Sequence, residues 1–147
     1  MDKKAYVGID LAKGSSKVAV VDKNGKLVSR PFNIKNSKKG IEKLLLKLSN
    51  FKGCDIICGM EVSSNYWENM LSYLKKKDIN CILLNPYQVK KYRQAIGKKI
   101  KTDKVDAEAI ALLIRGKVYD GLYVSDDTIL ELRELVRAKH SFERRVK

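Results

Sequence analysis

The sequence predicts an α/β fold: one mixed five-stranded sheet flanked by helices, with a further helix at the C-terminus. Two observations predict it. Three short, apolar, partly β-branched runs crowd into the first 33 positions, and two more follow near 54–59 and 80–84. Between and after those later runs the apolar spacing switches to i, i+3, i+4, i+7, the helical pattern. At 147 residues the chain suits a single main domain.

Taken in order, Ala5–Asp10 (AYVGID) and Ser16–Val21 (SKVAVV) read as the first two strands. Asp22-Lys23-Asn24-Gly25 supplies a turn, and Asn-Gly suggests type I′. Lys26–Asn33 is the third strand, and three strands this close in sequence must be antiparallel neighbours. Ser37 caps a helix carrying Ile41, Leu44, Leu45 and Leu48 on one face. Cys54–Gly59 is the fourth strand. Ser63 or Ser64 caps the next helix, with Tyr66, Trp67, Met70, Leu71 and Leu74 on its face. Asn80–Leu84 is the fifth strand, ended by Asn85-Pro86. Helical stretches run from about Tyr87 to Ile96 and from Thr102 to Arg115, and Gly97–Lys101 and Gly116–Ser125 read as linkers. A last helix starts near Asp126, with a stripe of Ile129, Leu132, Val136, Phe142 and Val146. Strands separated by a helix pair in parallel through right-handed crossovers. The first strand is therefore expected beside the fourth, and the fourth beside the fifth, with the hairpin extending one edge. That is the ribonuclease H-like arrangement.

Charge is the unusual quantity. Lys and Arg number 31 against 17 Asp and Glu, a formal net charge of +14. Such an excess favours a polyanionic partner, most often nucleic acid. A Lys-rich coding bias explains Lys over Arg but not the shortage of acids. No run approaches the roughly 18–20 apolar residues that cross a bilayer, so no membrane role is expected. Met1-Asp2-Lys3-Lys4 leads straight into a strand pattern without a signal peptide. Cys54, Cys58 and Cys81 each sit in an apolar run and read as reduced, buried thiols; a cytoplasmic protein follows.

Asp10 ends the first strand and Glu61 follows the fourth, so parallel pairing stands both at the carboxyl end of the sheet, where open α/β sheets bind ligands. Taken alone, a polar residue that simply ends a strand is the favoured reading of this pair. Asp103 and Asp106 are more informative. Spaced i, i+3, they share a helix face that continues with Ala107, Ile110, Leu113 and Ile114. Val105, Ala109 and Leu112 make the opposite flank apolar too. Only Lys104, Glu108, Ala111 and Arg115 form a solvent stripe. Two acids on a buried face need a cation. Four carboxylates at one sheet end suit Mg²⁺ or Mn²⁺, which take oxygen ligands. Two such ions about 4 Å apart activate a water or hydroxyl and stabilise the leaving oxygen at a phosphodiester.

Basic residues crowd just before these acids: Lys90, Lys91, Arg93, Lys98, Lys99, Lys101 and Lys104, with Tyr87 and Tyr92 interleaved. A charge run is commonly a solvated face. Its position beside Asp103 favours phosphate contacts that position a nucleic-acid backbone.

Four segments resemble a known family: Tyr6–Asp10 (YVGID), Met60–Ser63 (MEVS), Leu84–Pro86 (LNP) and above all Lys101–Ala111 (KTDKVDAEAIA). They are similar to the N-terminal domain of the DEDD-type insertion-sequence transposases, relatives of the Piv and MooV recombinases and also described as bridge-RNA-guided recombinases. The resemblance runs from Ala5 onward. It implies a RuvC-like fold over residues 1–125 and a Mg²⁺-binding quartet of Asp10, Glu61, Asp103 and Asp106 for DNA strand cleavage and transfer. It implies a guide RNA and assembly as a dimer or tetramer. It also implies that residues 126–147 begin a coiled-coil stalk to a second domain carrying a serine nucleophile. No serine in a matching context precedes Lys147, so a fragment or a short relative is expected.

Rival readings share the same core. Val7–Asp22 also resembles the first phosphate loop of actin-like sugar kinases and ATPases. Those enzymes duplicate the core, which 147 residues cannot accommodate, and they prefer Gly where Ala12 stands. A stand-alone junction resolvase or nuclease would use the same quartet. A non-catalytic binding module would rely on the basic surface alone.

Overall fold

The computed structural model describes residues 3–51, 53–62, 67–95, 103–116, 122–123 and 138, and side chains for all of these except 103–105 and 122–123. Strands β1 (Lys4–Asp10), β2 (Ser15–Asp22), β3 (Phe32–Lys35), β4 (Asp55–Glu61), β5 (Asn80–Leu84) and β6 (Leu122–Tyr123) form one sheet in the order β3-β2-β1-β4-β5-β6. Pairing is antiparallel across β3-β2-β1, parallel across β1-β4-β5, and antiparallel at β5-β6. The five expected strands are present in the expected order. The sixth is a two-residue edge strand inside a segment that the sequence suggested was a linker.

Strand alternation sorts the apolar residues into two layers. Ala5, Val7, Ile9, Val18, Val20, Cys58, Met60, Cys81 and Leu83 face helices α1 (Lys38–Leu48) and α2 (Trp67–Lys76). Tyr6, Val21, Ile82 and Leu84 face α3 (Pro86–Ala95) and α4 (Asp103–Gly116), meeting Val89, Ile110, Leu113 and Ile114. A sheet covered on both faces explains why β1 and β2 read as nearly continuous apolar runs. Each fully buried Leu or Ile contributes about 1.5–3 kcal/mol relative to exposure.

Local signals mostly hold. The Ser37 side chain accepts a hydrogen bond from the Gly40 N–H and caps α1, and Ile41, Leu44 and Leu48 are buried beneath it. Cys58 and Cys81 are buried and Cys54 is partly buried; all three are free thiols.

Three readings change. The hairpin turn is not type I′: Gly25 has φ 84°, whereas among the described non-glycine residues only Asp78 has a positive φ. The Asp22 carboxylate accepts from the Asn24 and Lys26 N–H groups, which lets the turn close with one left-handed residue. The third strand starts at Phe32 rather than Lys26. Leu27 makes only an isolated bridge to Val21, and the chain returns to the sheet in time for Ser16 to pair with Ile34. Ala111 belongs to no solvent stripe: it is fully buried, because α4 lies directly on the sheet. The expected caps at Ser63 or Ser64, the basic positions 98, 99 and 101, and the helix from Asp126 lie outside the described residues.

Candidate metal and nucleic-acid site

A glycine sets the position of α4. A Cβ on Gly8, in the middle of β1, would stand 2.0 Å from the Ala107 carbonyl oxygen and 2.6 Å from the Ala111 nitrogen. Only glycine lets the helix backbone rest on the strand. The direction of α4 follows from its other end. Arg115 Nε donates to the Lys23 carbonyl at 2.8 Å, in the β2–β3 turn beside the start of β1. Thus α4 runs antiparallel to β1, and its first turn lies at the carboxyl end of the parallel strands.

That is the end where β1 and β4 finish. Ile9 pairs with Met60, so Asp10 and Glu61 are the next residues of two adjacent parallel strands. Asp10 shares a strand face with Gly8 and Tyr6. Glu61 shares one with Gly59 and Ile57. Both faces are covered by α4, since Ile57 packs into the α3–α4 layer and a Cβ on Gly59 would meet Ile114 Cγ2 at 2.8 Å. Two strand-end carboxylates and the start of α4 therefore share one end and one face of the sheet.

Asp106, one turn before Ile110, is only 7% exposed. A buried carboxylate is costly without a positive partner. Here the partner is Arg93 of α3, whose guanidinium donates through Nη1 to Asp106 Oδ1 in an ion pair. Nothing in the residue pattern points to this pairing beyond the need itself. An acid on a buried helix face calls for a counter-ion, and an arginine on the preceding helix can supply one. The backbone of Asp103 opens α4, but its side chain lies outside the described residues.

Oxygen donors from β1, β4 and α4 suit a hard divalent ion, and the pairing of Asp106 with a guanidinium shows that this carboxylate takes a cation. Among the described residues, no three His, Cys, Asp or Glu side chains are gathered closely enough to hold an ion. The arrangement brings the elements together, while the Asp106 carboxylate is engaged with Arg93.

The basic run divides. Lys90 and Lys91 are exposed on α3, and the Lys91 ammonium lies 4.7 Å from the ring centroid of Tyr87, itself 61% exposed. Tyr92 is half-buried against the α4 layer. Arg93 is turned inward to Asp106. The side chain of Lys104 lies outside the described residues, as do Lys98, Lys99 and Lys101 in full. Among the described residues no helix is long and apolar enough to cross a membrane.

A family model for the IS110-type DEDD transposases, described as a transposase, matches residues 7–146. The chain is 34% identical over 115 residues to the transposase for insertion sequence element IS1533 of Leptospira borgpetersenii, covering 78% of this chain and 32% of that protein. It is 24% identical over 110 residues to the pilin gene-inverting protein of Moraxella bovis, covering 74% of this chain and 33% of that one. The chain thus spans about a third of the length of these curated relatives. Among solved structures it is similar to Thermus thermophilus RuvC in complex with a Holliday junction substrate, with a TM-score of 0.58 and 18% identity, over 81% of this chain and 99% of that one. That likeness shows the RuvC-like fold. The chain belongs to the DEDD-type insertion-sequence transposases.

Proposed function

We propose that this transposase-family domain supports DNA strand cleavage and transfer by holding Mg²⁺ or Mn²⁺ on Asp10, Glu61, Asp103 and Asp106. One observation carries the reading. Asp10 and Glu61 end adjacent parallel strands on the face that α4 covers, and the close approach at Gly8 lays the Asp103–Asp106 turn over that same end. When bound, the ions supply activation of a water or hydroxyl and stabilisation of the leaving oxygen at a phosphodiester. The strand ends fix Asp10 and Glu61 on rigid backbone, so their spacing is set by sheet geometry and not by a loop. Burial of Asp106 keeps bulk water from that side of the site.

Lys90, Lys91, Lys98, Lys99, Lys101 and Lys104 serve as phosphate contacts that position a DNA or RNA backbone, with Tyr92 behind them. In this conformation Arg93 serves Asp106 and would have to turn outward to join them. A guide RNA and a homo-oligomer built through residues 126–147 follow from the family resemblance and belong to the same proposal. So does a coiled-coil stalk leading to a serine-bearing domain.

The test is Mn²⁺ binding to the chain, followed by the electron paramagnetic resonance signal of the free ion, with cleavage of labelled duplex and four-way-junction DNA alongside. Asp10→Asn and Glu61→Gln each weaken Mn²⁺ binding at least about tenfold and abolish metal-dependent cleavage, in chains that remain folded by circular dichroism. Mn²⁺ binding that ignores both substitutions refutes the quartet.

A further inference from the structure

The Arg93–Asp106 ion pair belongs to no reading of the domain as a simple metal cradle. Both side chains are nearly buried, at 13% and 10% exposure, and they join two different helices, α3 and α4. Asp106 stands on the helix that Gly8 and Gly59 lock onto the sheet, so it has little room to move. Arg93 comes from α3, which has a single fully buried apolar residue, Val89, and an otherwise exposed or half-buried surface. In this pair the carboxylate is the fixed member and the guanidinium the movable one.

We propose that Arg93 is the resident counter-ion of Asp106, and that a divalent ion must displace it to use that carboxylate. The inference rests on the quartet reading above and adds a competitor to it. The physical reason is charge. Without a cation, Asp106 is a buried carboxylate whose desolvation is offset only by pairing. A guanidinium satisfies it with a directed hydrogen bond and a full positive charge. A divalent ion on the same carboxylate would sit within a few ångströms of the guanidinium, where repulsion inside a poorly solvated site is strong. The two cations therefore exclude one another. Metal binding is coupled to release of the Arg93 side chain from Asp106, while Val89 and Tyr92 keep α3 packed on the α4 layer, and the apparent metal affinity is weakened by the strength of the ion pair.

The experiment measures Mn²⁺ affinity of the whole chain with Arg93→Gln, Arg93→Lys and Asp10→Asn. Arg93→Gln keeps a hydrogen-bond donor and removes the charge. It binds Mn²⁺ at least about tenfold more tightly than the natural chain and melts lower in EDTA, with the loss recovered on adding Mn²⁺. Arg93→Lys retains the charge and stays within about threefold of the natural affinity. Equal or weaker Mn²⁺ binding by a folded Arg93→Gln chain overturns the proposal. Should that variant fail to fold in EDTA, the natural chain decides. The Arg93 Nη1–H nuclear magnetic resonance signal, read at low temperature, loses its hydrogen-exchange protection at saturating Mg²⁺ if the pair opens; a protected, unshifted signal overturns the displacement. Metal binding insensitive to Asp10→Asn marks a different failure, that of the quartet itself.

Discussion

Gly8→Ala is the sharpest probe of how the site is built. The added Cβ would stand 2.0 Å from the Ala107 carbonyl oxygen, where ordinary contact begins at 3.4 Å. The shortfall of about 1.4 Å falls on helix backbone, and no rotamer change can relieve it. Either α4 retreats from β1 or the strand buckles. Overpacking of this kind costs about 1–3 kcal/mol, and a backbone-to-backbone clash belongs at or above the upper end, about 3 kcal/mol. Gly59→Ala is the internal control. Its Cβ would meet Ile114 Cγ2 at 2.8 Å, a branch methyl rather than backbone, so the shortfall of about 0.6 Å is smaller and its cost is about 1–2 kcal/mol. Trp67 is the only tryptophan and is fully buried, so its fluorescence reports unfolding in urea. With a slope of about 2 kcal/mol per molar urea, Gly8→Ala lowers the midpoint by about 1.5 M and Gly59→Ala by about 0.5–1 M. Because α4 carries Asp106, Gly8→Ala also weakens Mn²⁺ binding, as an ångström-scale displacement of a ligand does. A Gly8→Ala midpoint within about 0.25 M of the natural chain would refute the claim that α4 rests on β1 through this glycine.

Neutralising Lys98, Lys99 and Lys101 together weakens DNA or RNA binding across sequences and lowers the salt slope by up to about one unit per lost phosphate contact, read from binding isotherms at several salt concentrations; unchanged binding makes the segment a plain solvated surface. Burial pushes the Cys58 thiol from an ordinary 9.0 up to about 12, and burial together with Cys58 holds Cys81 well above its usual range. A raised folded-state pKa contributes stability that is intact below pH 9 and is lost as pH climbs from about 9 to 12, so urea midpoints fall across that window and fall less in Cys58→Ala when each variant is compared with its own value at pH 8. In the native chain at pH 8 a thiol reagent modifies Cys54 first, and early labelling of Cys58 would contradict its burial. Leu132→Glu with Val136→Glu dissolves an oligomer and leaves the domain folded if the C-terminal stripe is an assembly element; sedimentation showing an unfolded monomer would return that helix to the core.

Periodicity and local chemistry were enough for the sheet order. Apolar runs of strand length, separated by helical spacing, leave few topologies once crossovers are right-handed, so β1 beside β4 beside β5 followed from sequence. So did the common end of Asp10 and Glu61, which parallel pairing alone dictates, and the Ser37 cap, which is local. The start of the third strand was less legible, because Leu27 and Val28 look like strand residues and only the geometry of the Asp22–Gly25 turn sends them off the sheet edge. Ala111 was misplaced for a related reason. Helical spacing gives a face but not what lies beneath it, and a glycine on the neighbouring strand draws the helix close enough to bury even that side. The two-residue β6 has too little pattern to announce itself.

The partnership of Arg93 with Asp106 belongs to tertiary structure alone. A sequence shows that a buried acid needs a positive charge, and many basic residues stand nearby in a chain of net charge +14. Which of them reaches it depends on how α3 lies across α4, a relation between two helices whose linker carries no pattern that fixes an angle. The sequence determined which residues carry charge and which elements bring them to one end of the sheet. Packing decided that Arg93 faces inward while Lys90 and Lys91 face water, because only contact between helices tells one lysine- or arginine-bearing position from the next.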